Sequence, residues 1–251
     1  MPDIAAILTA HAEGVMAGLS FRSLVDAVAV ARSEGIDVEV LVVLDNPTDA
    51  TRTTFLEADR HGATVAEVSY ADQGKVRNHA VGLVSAGHIA FLDGDDLWSE
   101  NWLVDAYRMC AGDPRWIGHP ELNWFFEKQQ NLYFLPDQTD PAFDPALLRI
   151  ANPWDALCLA SRTAYVEHPF SARAVADGYA YEDWHWMLET YLGGYVHRVV
   201  PETIHFKRRR EGSQYVQARA RSVLTRPSEL LDFAWWQQRD QEHDQRGSAG
   251  G

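Results

Sequence analysis

Apolar residues in the first hundred positions form short continuous runs separated by segments of helical periodicity. Short apolar runs predict buried strands, and apolar residues three or four positions apart predict helices. The predicted strands cover residues 4–8, 38–44, 64–68 and 88–92, and the predicted helices cover residues 21–32, 51–60, 76–84 and 99–110, the last capped by Ser99. Strands that alternate with helices at this spacing predict a parallel sheet with helices on both faces.

The pattern changes at about residue 112. Aromatic runs at 124–126 and 132–134 flank a polar segment and predict a hairpin, and four prolines between residues 135 and 153 predict a long loop. A helix is predicted from Glu182, followed by strands at 195–200 and 204–207. We therefore divide the chain into a first half, residues 1–111, a second half, residues 112–239, and a polar, glycine-rich, loose tail, residues 240–251.

Composition narrows the class of protein. Apolar residues make up 46% of the 251 residues, enough for a sizeable core, and the net charge of −14 argues against nucleic-acid partners. No apolar stretch has the ~20 residues of an integral membrane segment, and the first residues lack a signal-peptide pattern. Two cysteines form no disulfide framework. These features predict a soluble, cytoplasmic protein.

Polar residues gather where the predicted parallel strands end. Ligands bind beyond the carboxyl ends of such strands, so these residues are expected to converge on one rim of the sheet. They are Thr9, His11 and Glu13 after the first strand, Asp45 after the second, and Asp93, Asp95 and Asp96 after the strand at 88–92. Three carboxylates within four residues repel one another unless a cation binds them, and an oxygen-rich set suits Mn²⁺ or Mg²⁺ shared with phosphate oxygens.

Four segments, in order, resemble motifs of the family 2 glycosyltransferases. They are Val43-Leu44-Asp45-Asn46-Pro47-Thr48-Asp49-Ala50-Thr51, Gln73-Gly74-Lys75-Val76-Arg77-Asn78-His79-Ala80, Phe91-Leu92-Asp93-Gly94-Asp95-Asp96-Leu97-Trp98 and Tyr181-Glu182-Asp183-Trp184. The resemblance implies the α/β GT-A fold, a Rossmann-like, open, mostly parallel sheet flanked by helices. It also implies that the first half binds a nucleotide sugar and that the second half binds the acceptor and carries the catalytic base.

The resemblance also implies roles for single residues. Asp45 would bind the nucleobase, Asp93 the ribose and Asp95 the metal. Arg77 would help to hold the nucleotide or order the loop, and Asp183 would be the base of an inverting displacement. Gly94, Thr9, His11 and Glu13 join the expected donor site.

Charge considerations add further candidates. The N-terminal end of the predicted helix favours ionised carboxylates, which supports Asp183 with Glu182 beside it. Arg208 and Arg210 would stabilise a leaving diphosphate, although a solvated basic edge is an equal alternative. His205 is a candidate third metal ligand, but a lone strand histidine is more often structural.

The resemblance, together with these charged residues, implies transfer of a single sugar from a nucleotide diphosphate sugar to a glycan or glycolipid acceptor. The expected process is surface polysaccharide or glycoconjugate synthesis. UDP is the first choice of nucleotide, with dTDP and GDP as alternatives, and Mn²⁺ or Mg²⁺ is the expected cofactor. The absence of a Gln-x-x-Arg-Trp element favours one addition per encounter. Two alternatives are a haloacid dehalogenase-like phosphatase, which also places Asp-x-Asp after a strand, and a non-catalytic module that binds sugar nucleotides or glycans.

Overall fold

The computed structural model describes residues 1–210 and 223–237. The elements of the first half are β1 (Ile4–Ala10), α1 (Met16–Ser33), β2 (Val38–Asp45), α2 (Asp49–Thr54), β3 (Ala63–Val68), α3 (Gln73–Leu83), β4 (His88–Asp93), β5 (Leu97–Trp98) and α4 (Trp102–Cys110). Those of the second half are β6 (Trp116–Glu127), β7 (Asn131–Phe134), β8 (Leu159–Ser161), α5 (Arg162–Glu167), α6 (Glu182–Leu192) and β9 (Val196–Arg209). Short 3-10 helices cover Ala58–His61, Pro145–Arg149, Val175–Asp177 and Glu229–Leu231.

The strands of the described residues form one sheet in the order β3-β2-β1-β4-β8-β6-β9-β5, with β7 paired to β6. The strands β3, β2, β1 and β4 are parallel, and so are β6 and β9. The short strand β8 pairs antiparallel with both β4 and β6, so it joins the two parallel parts. The predicted α/β fold with an open, mostly parallel sheet is therefore confirmed.

The sheet has a hydrophobic core on each face. In β1, Ile4, Ala6 and Leu8 belong to one buried cluster together with residues of α1 and α4. The intervening Ala5 and Ile7 belong to the other cluster, which contains residues of α3 and α6. Because side chains alternate between the faces of a strand, burial on both faces explains the uninterrupted apolar run in the sequence.

Several helices begin at side chains that accept a hydrogen bond from the backbone. Thr48 Oγ1 accepts from the Thr51 amide at α2, Asp72 Oδ1 from the Lys75 amide at α3, and Ser161 Oγ from the Ala164 amide at α5. Such bonds satisfy amides that lack a partner within the helix. The caps at Thr48 and Asp72 fix the starts of the two helices that follow β2 and β3.

The structure corrects four sequence predictions. Ser99 does not cap α4, because its Oγ accepts from the Ile204 amide, and Asn101 occupies the cap position although its side chain accepts no bond from the helix amides. The helix predicted at 51–60 is the shorter α2 followed by a 3-10 helix, and the strands predicted at 195–200 and 204–207 are parts of the single strand β9. The short elements β5, β8 and α5 were not predicted.

The predicted hairpin is confirmed by β6 and β7, which pair antiparallel. The tail predicted at 240–251 lies outside the described residues. No helix in residues 1–210 and 223–237 has the length and apolar character required to cross a membrane.

Candidate active site

The carboxyl ends of β1, β2 and β4 meet at one edge of the sheet, as their parallel pairing requires. Thr9 of β1 lies opposite Asp93 of β4, and its Oγ1 donates to Asp93 Oδ1 at 3.2 Å. Asp45 ends the neighbouring strand β2. The structure thus brings together the strand-end residues that the sequence pattern predicted, and we call this edge the rim.

Asp93 is the centre of a hydrogen-bond network. Its Oδ1 accepts from Gln73 Nε2 at 2.8 Å and from Arg77 Nη2 at 3.0 Å, in addition to Thr9. The Arg77 side chain is only 4% exposed, and its Nη1 lies 3.4 Å from Glu182 Oε1. A single buried guanidinium therefore links the rim to the first residue of α6.

Asp45 is tied to the loop that precedes α3. Its Oδ1 accepts from the backbone amides of Tyr70 at 2.7 Å and Ala71 at 3.1 Å, and its backbone oxygen contacts His11 Nδ1. The His11 amide in turn donates to Glu13. Asp45 and His11 thus connect the ends of β1 and β2 to the loop that follows β3.

Gly94 occupies a position that has no room for a side chain. A Cβ atom here would lie 2.8 Å from Ala10 Cβ and 3.1 Å from the Thr9 oxygen. The Gly94 amide donates to that same oxygen at 2.8 Å. The acidic loop after β4 is therefore held against the end of β1, and this contact depends on glycine.

The two carboxylates after Gly94 have different partners. Asp95 Oδ2 lies 3.2 Å from Arg210 Nε, and Arg210 Nη2 lies 3.6 Å from Glu13 Oε1. Burial, followed by the charge of Asp93, raises the pKa of Asp95 to about 6. Asp96 accepts from the Arg208 amide at 2.7 Å, and burial raises its pKa to about 7 although Lys207 Nζ lies 3.4 Å away. Burial thus disfavours the charged form of both carboxylates, and the nearby cations oppose that effect only in part.

Arg208 and Arg210, the two arginines predicted to stabilise the diphosphate, make different contacts in the structure. The Arg208 guanidinium is paired with Glu127 across β6 and β9, its positive charge also acts on Asp95, and its backbone amide donates to Asp96. Arg210 contacts Asp95 directly with a side chain that is 35% exposed.

The structure does not support His205 as a metal ligand. His205 is fully buried, with its ring centroid 4.5 Å from that of Trp102 and 6.3 Å from that of Trp98. Burial lowers its pKa to about 3, and neither ring nitrogen has a hydrogen-bond partner. Within the described residues, no group of three or more His, Cys, Asp or Glu side chains is arranged to hold a metal ion. His205 is a core residue, because its position in β9 directs it towards these tryptophans.

The adjacent carboxylates at the start of α6 occupy different surroundings. Glu182 is buried between two cations, Arg77 at 3.4 Å and Arg173 at 3.5 Å, yet burial and the neighbouring Asp183 raise its pKa to about 7. Asp183 Oδ2 instead accepts from Asn152 Nδ2 at 3.1 Å. Burial raises the pKa of Asp183, and the positive charge of Arg77 opposes that shift. Glu182 thus belongs to an ion-pair network, whereas Asp183 is held by a neutral amide.

Sequence reasoning missed three polar residues near this helix: Asn152, Asp155 and Arg173. Asp155 pairs with Lys207 at 3.0 Å, and Lys207 was likewise not among the predicted site residues. No local motif marks Asn152 or Asp155, which lie at the end of the proline-rich loop. The sequence did contain one sign of Lys207, because the alternate positions Thr203, His205 and Lys207 are all polar. In the structure all three are buried, so β9 carries polar residues on an inward face.

A groove of about 1180 Å³ lies beside α6 in the second half. Its lining is mainly apolar and includes Phe143, Leu147 and Ile150 from the long loop and Trp184 from α6. Trp184 follows Asp183 directly, and its Nε1 donates to the Leu148 oxygen at 2.9 Å. The groove therefore borders the helix that carries the candidate base.

Comparison with known proteins agrees with this geometry. Residues 6–120, a little under half of the chain, match the model of Glycosyl transferase family 2. The fold and this match agree with the resemblance to the family 2 glycosyltransferases with the GT-A fold that the four motifs predicted, and that resemblance is confirmed. No curated protein matches the chain.

Two solved structures illustrate the shared fold. The crystal structure of S. aureus TarS 1-349 in complex with UDP-GlcNAc is similar to the chain with a TM-score of 0.59 and 17% identity, over 85% of this chain and 60% of that one. Mannosyltransferase PcManGT from Pyrobaculum calidifontis, in complex with GDP-Man and Mn²⁺, is similar with a TM-score of 0.60 and 16% identity, over 88% and 63%. The chain thus spans less than two thirds of either relative.

Proposed function

We propose that the chain is an inverting, metal-dependent glycosyltransferase that moves one sugar from a nucleotide diphosphate sugar to an acceptor hydroxyl. The observation that carries this proposal is the buried Arg77, which contacts Asp93 of the rim on one side and Glu182 of α6 on the other. Arg77 thereby links the proposed donor site to the start of the helix that carries the candidate base.

In the proposed reaction Asp183 removes the proton from the acceptor hydroxyl. The acceptor oxygen forms a bond to the anomeric carbon, and the bond from that carbon to the diphosphate oxygen breaks on the opposite side, so the configuration inverts. The nucleotide diphosphate leaves with the bonding electron pair. Burial strengthens Asp183 as a base by raising its pKa, and Asn152 orients its carboxylate.

The leaving diphosphate carries negative charge into a region rich in carboxylates. Asp95, with Asp93 beside it, fits a divalent cation, because burial and then repulsion from Asp93 raise the pKa of Asp95 and a cation would relieve both effects. Two carboxylates plus phosphate oxygens and water form the ligand set that Mg²⁺ and Mn²⁺ accept. When bound, the cation would neutralise developing charge on the diphosphate. Arg210, part-exposed beside Asp95, is the cation of this chain proposed to contact phosphate oxygens.

Asp45 is proposed to bind the nucleobase and Asp93 the ribose, with Thr9, His11, Glu13 and Gly94 shaping the donor site. UDP is the proposed nucleotide and GDP the main alternative, since the two similar structures hold UDP-GlcNAc and GDP-Man with Mn²⁺. The acceptor is proposed to be a glycan or glycolipid in surface polysaccharide or glycoconjugate synthesis. The apolar groove beside Trp184 supports an acceptor in the second half.

Thermal-shift screening of UDP, GDP and dTDP, each with and without Mn²⁺, tests the donor part. We expect one diphosphate to raise the melting temperature only when Mn²⁺ is present. The matching sugar nucleotides are then supplied with candidate acceptors, and released diphosphate is measured. Stabilisation without any turnover would favour a binding module, and hydrolysis of simple phosphate esters would favour a phosphatase; either result contradicts transfer.

A further inference from the structure

A second connection, formed by polar contacts and the backbone of residues 152–155, runs from the acidic loop of the rim to the candidate base without passing through Arg77. Lys207 Nζ lies 3.4 Å from Asp96 Oδ2 and 3.0 Å from Asp155 Oδ2. Three residues before Asp155, Asn152 donates to Asp183 Oδ2 at 3.1 Å. The short segment 152–155 therefore contacts the base candidate at one end and, through Lys207, the acidic loop at the other.

Lys207 and Asp155, in the middle of this connection, are largely buried and have several partners. The Lys207 side chain is 9% exposed and that of Asp155 is 19% exposed. Asp155 also accepts from Asn123 Nδ2 at 3.2 Å and from the Leu157 amide at 2.9 Å. A buried lysine is stable only when its charge is matched, and here two carboxylates match it. Removing Lys207 leaves these two carboxylates without the cation that they share.

We propose that Asn152, Asp155 and Lys207 form a polar bridge that fixes the position and charge state of Asp183 relative to the acidic loop. The bridge is a set of positioning residues, and its catalytic consequence rests on the proposed function. Arg77 provides the link at Asp93 and Glu182, and the bridge provides a second link at Asp96 and Asp183. Two links at separate points prevent α6 from rotating about the single guanidinium.

The charges that face Asp183 come from four elements. Arg77 of α3 and Lys207 of β9 favour its ionised form, whereas Asp155 from the segment before β8 and the adjacent Glu182 of α6 disfavour it. The two charged members of the bridge therefore act on Asp183 in opposite directions.

The test is a carboxylate ¹³C NMR titration of the full chain labelled at aspartate, in the absence of metal. The Asp183 signal is assigned by its loss in Asp183→Asn. We expect Lys207→Met to raise the pKa of Asp183, because a nearby cation is lost, and Asp155→Asn to lower it, because a nearby anion is lost. Asn152→Ala should raise it, because the ionised carboxylate loses a donor. The double variant Asp155→Asn with Lys207→Met should lie close to wild type.

A matched control is available on the same strand. Arg198 of β9 pairs with Asp137 at 3.1 Å, and Arg198→Met should leave the Asp183 titration unchanged. If Lys207→Met does not fold, Asp155→Asn and Asn152→Ala decide the question between them. The bridge is refuted if Asp183 titrates in these variants as it does in wild type, or if Asp155→Asn raises its pKa.

Activity gives a second readout. Once transfer is measurable, Asn152→Ala should lower turnover at least about tenfold, since misplacing a reacting group by ~1 Å can cost ~100-fold. Its affinity for UDP with Mn²⁺ should stay within about twofold of wild type by this reasoning, because the donor side of the rim is untouched. Unchanged turnover would contradict the bridge. Absence of transfer even in wild type would instead refute the proposed function, while the NMR titration would still decide the bridge.

Discussion

The two halves of the molecule place polar residues in opposite ways. In the first half β1 is buried along its length and β2 nearly so, and the functional candidates stand at the strand ends. In the second half β6 and β9 carry polar residues inside: His119, Asn123, His197, His205 and Lys207 are all at most 7% exposed. The first half thus keeps its chemistry at the rim, whereas the second half builds polar groups into its core.

We infer from this difference that the first half binds the ligand and that the second half positions one carboxylate. A rim of strand ends leaves room for a large polar ligand such as a nucleotide, and its residues are close in sequence to the strands that position them. The second half instead holds one carboxylate, Asp183, through residues that are distant in the chain. Its buried polar groups cost stability unless they are paired, so their retention is consistent with a positioning role.

The largest effect is expected when Asp183 is neutralised, which tests whether the second half supplies the base. Asp183→Asn should lower turnover by roughly 10²–10⁴-fold, the usual contribution of a positioned base. Donor affinity should change little, because the rim is intact and the amide preserves the start of α6. Turnover and donor affinity are measured together, and full activity in this variant would remove the base assignment.

The next effect concerns the donor site. Asp45→Ala should weaken nucleotide binding by about 1–3 kcal/mol, the loss expected for a hydrogen bond to a charged partner. The variant also leaves the amides of Tyr70 and Ala71 without an acceptor. A matched Asp45→Asn variant retains an acceptor for them and serves as the control. Calorimetry should show weaker binding in both variants, and equal affinity in wild type and Asp45→Ala would limit Asp45 to ordering the loop.

A pH-dependent effect is expected at Glu182. Its pKa is raised to about 7 in the folded protein, from an ordinary value of 4.5, so the folded state holds this proton more tightly than the unfolded state. The protein should lose this stabilisation as the pH rises from about 4.5 through about 7. The melting temperature of Glu182→Gln relative to wild type should therefore be higher at pH 8 than at pH 5. The opposite trend would mean that the ion pairs with Arg77 and Arg173 outweigh burial.

The smallest effect is expected at His205. Both ring nitrogens are buried without a partner beside Trp98 and Trp102, so His205→Phe should leave stability nearly unchanged or raise it. Mn²⁺-dependent nucleotide binding should also be unchanged. Loss of that metal dependence in His205→Phe would restore the histidine as a ligand.

The same contrast explains how much the sequence could predict. The alternation of apolar runs and helical spacing was sufficient for β1 to β4 and for the rim residues, because local patterns determine which residues end each strand. The proline-rich loop gave no such pattern, so Asn152 and Asp155 could not be placed beside Asp183 or Lys207. β5 and β8 have only two and three residues, too short to show a period, and they form because β9, β4 and β6 offer pairing edges.

His205 was proposed as a ligand on residue type alone. What decided its place was strand alternation in β9, which puts it on the same inward face as Thr203 and Lys207. Asp183 and Glu182, by contrast, could be distinguished only through their partners, since both open the same helix.

If the first half binds a metal–nucleotide complex and the second half supplies the base, Asp95→Ala and Asp183→Asn should impair different steps. Calorimetric titration of both variants with the nucleotide diphosphate selected by screening, with and without Mn²⁺, separates these steps. We expect Asp95→Ala to lose the metal-dependent binding and Asp183→Asn to keep it while losing turnover. This assignment of the two halves is wrong if metal-dependent binding survives in Asp95→Ala or disappears in Asp183→Asn.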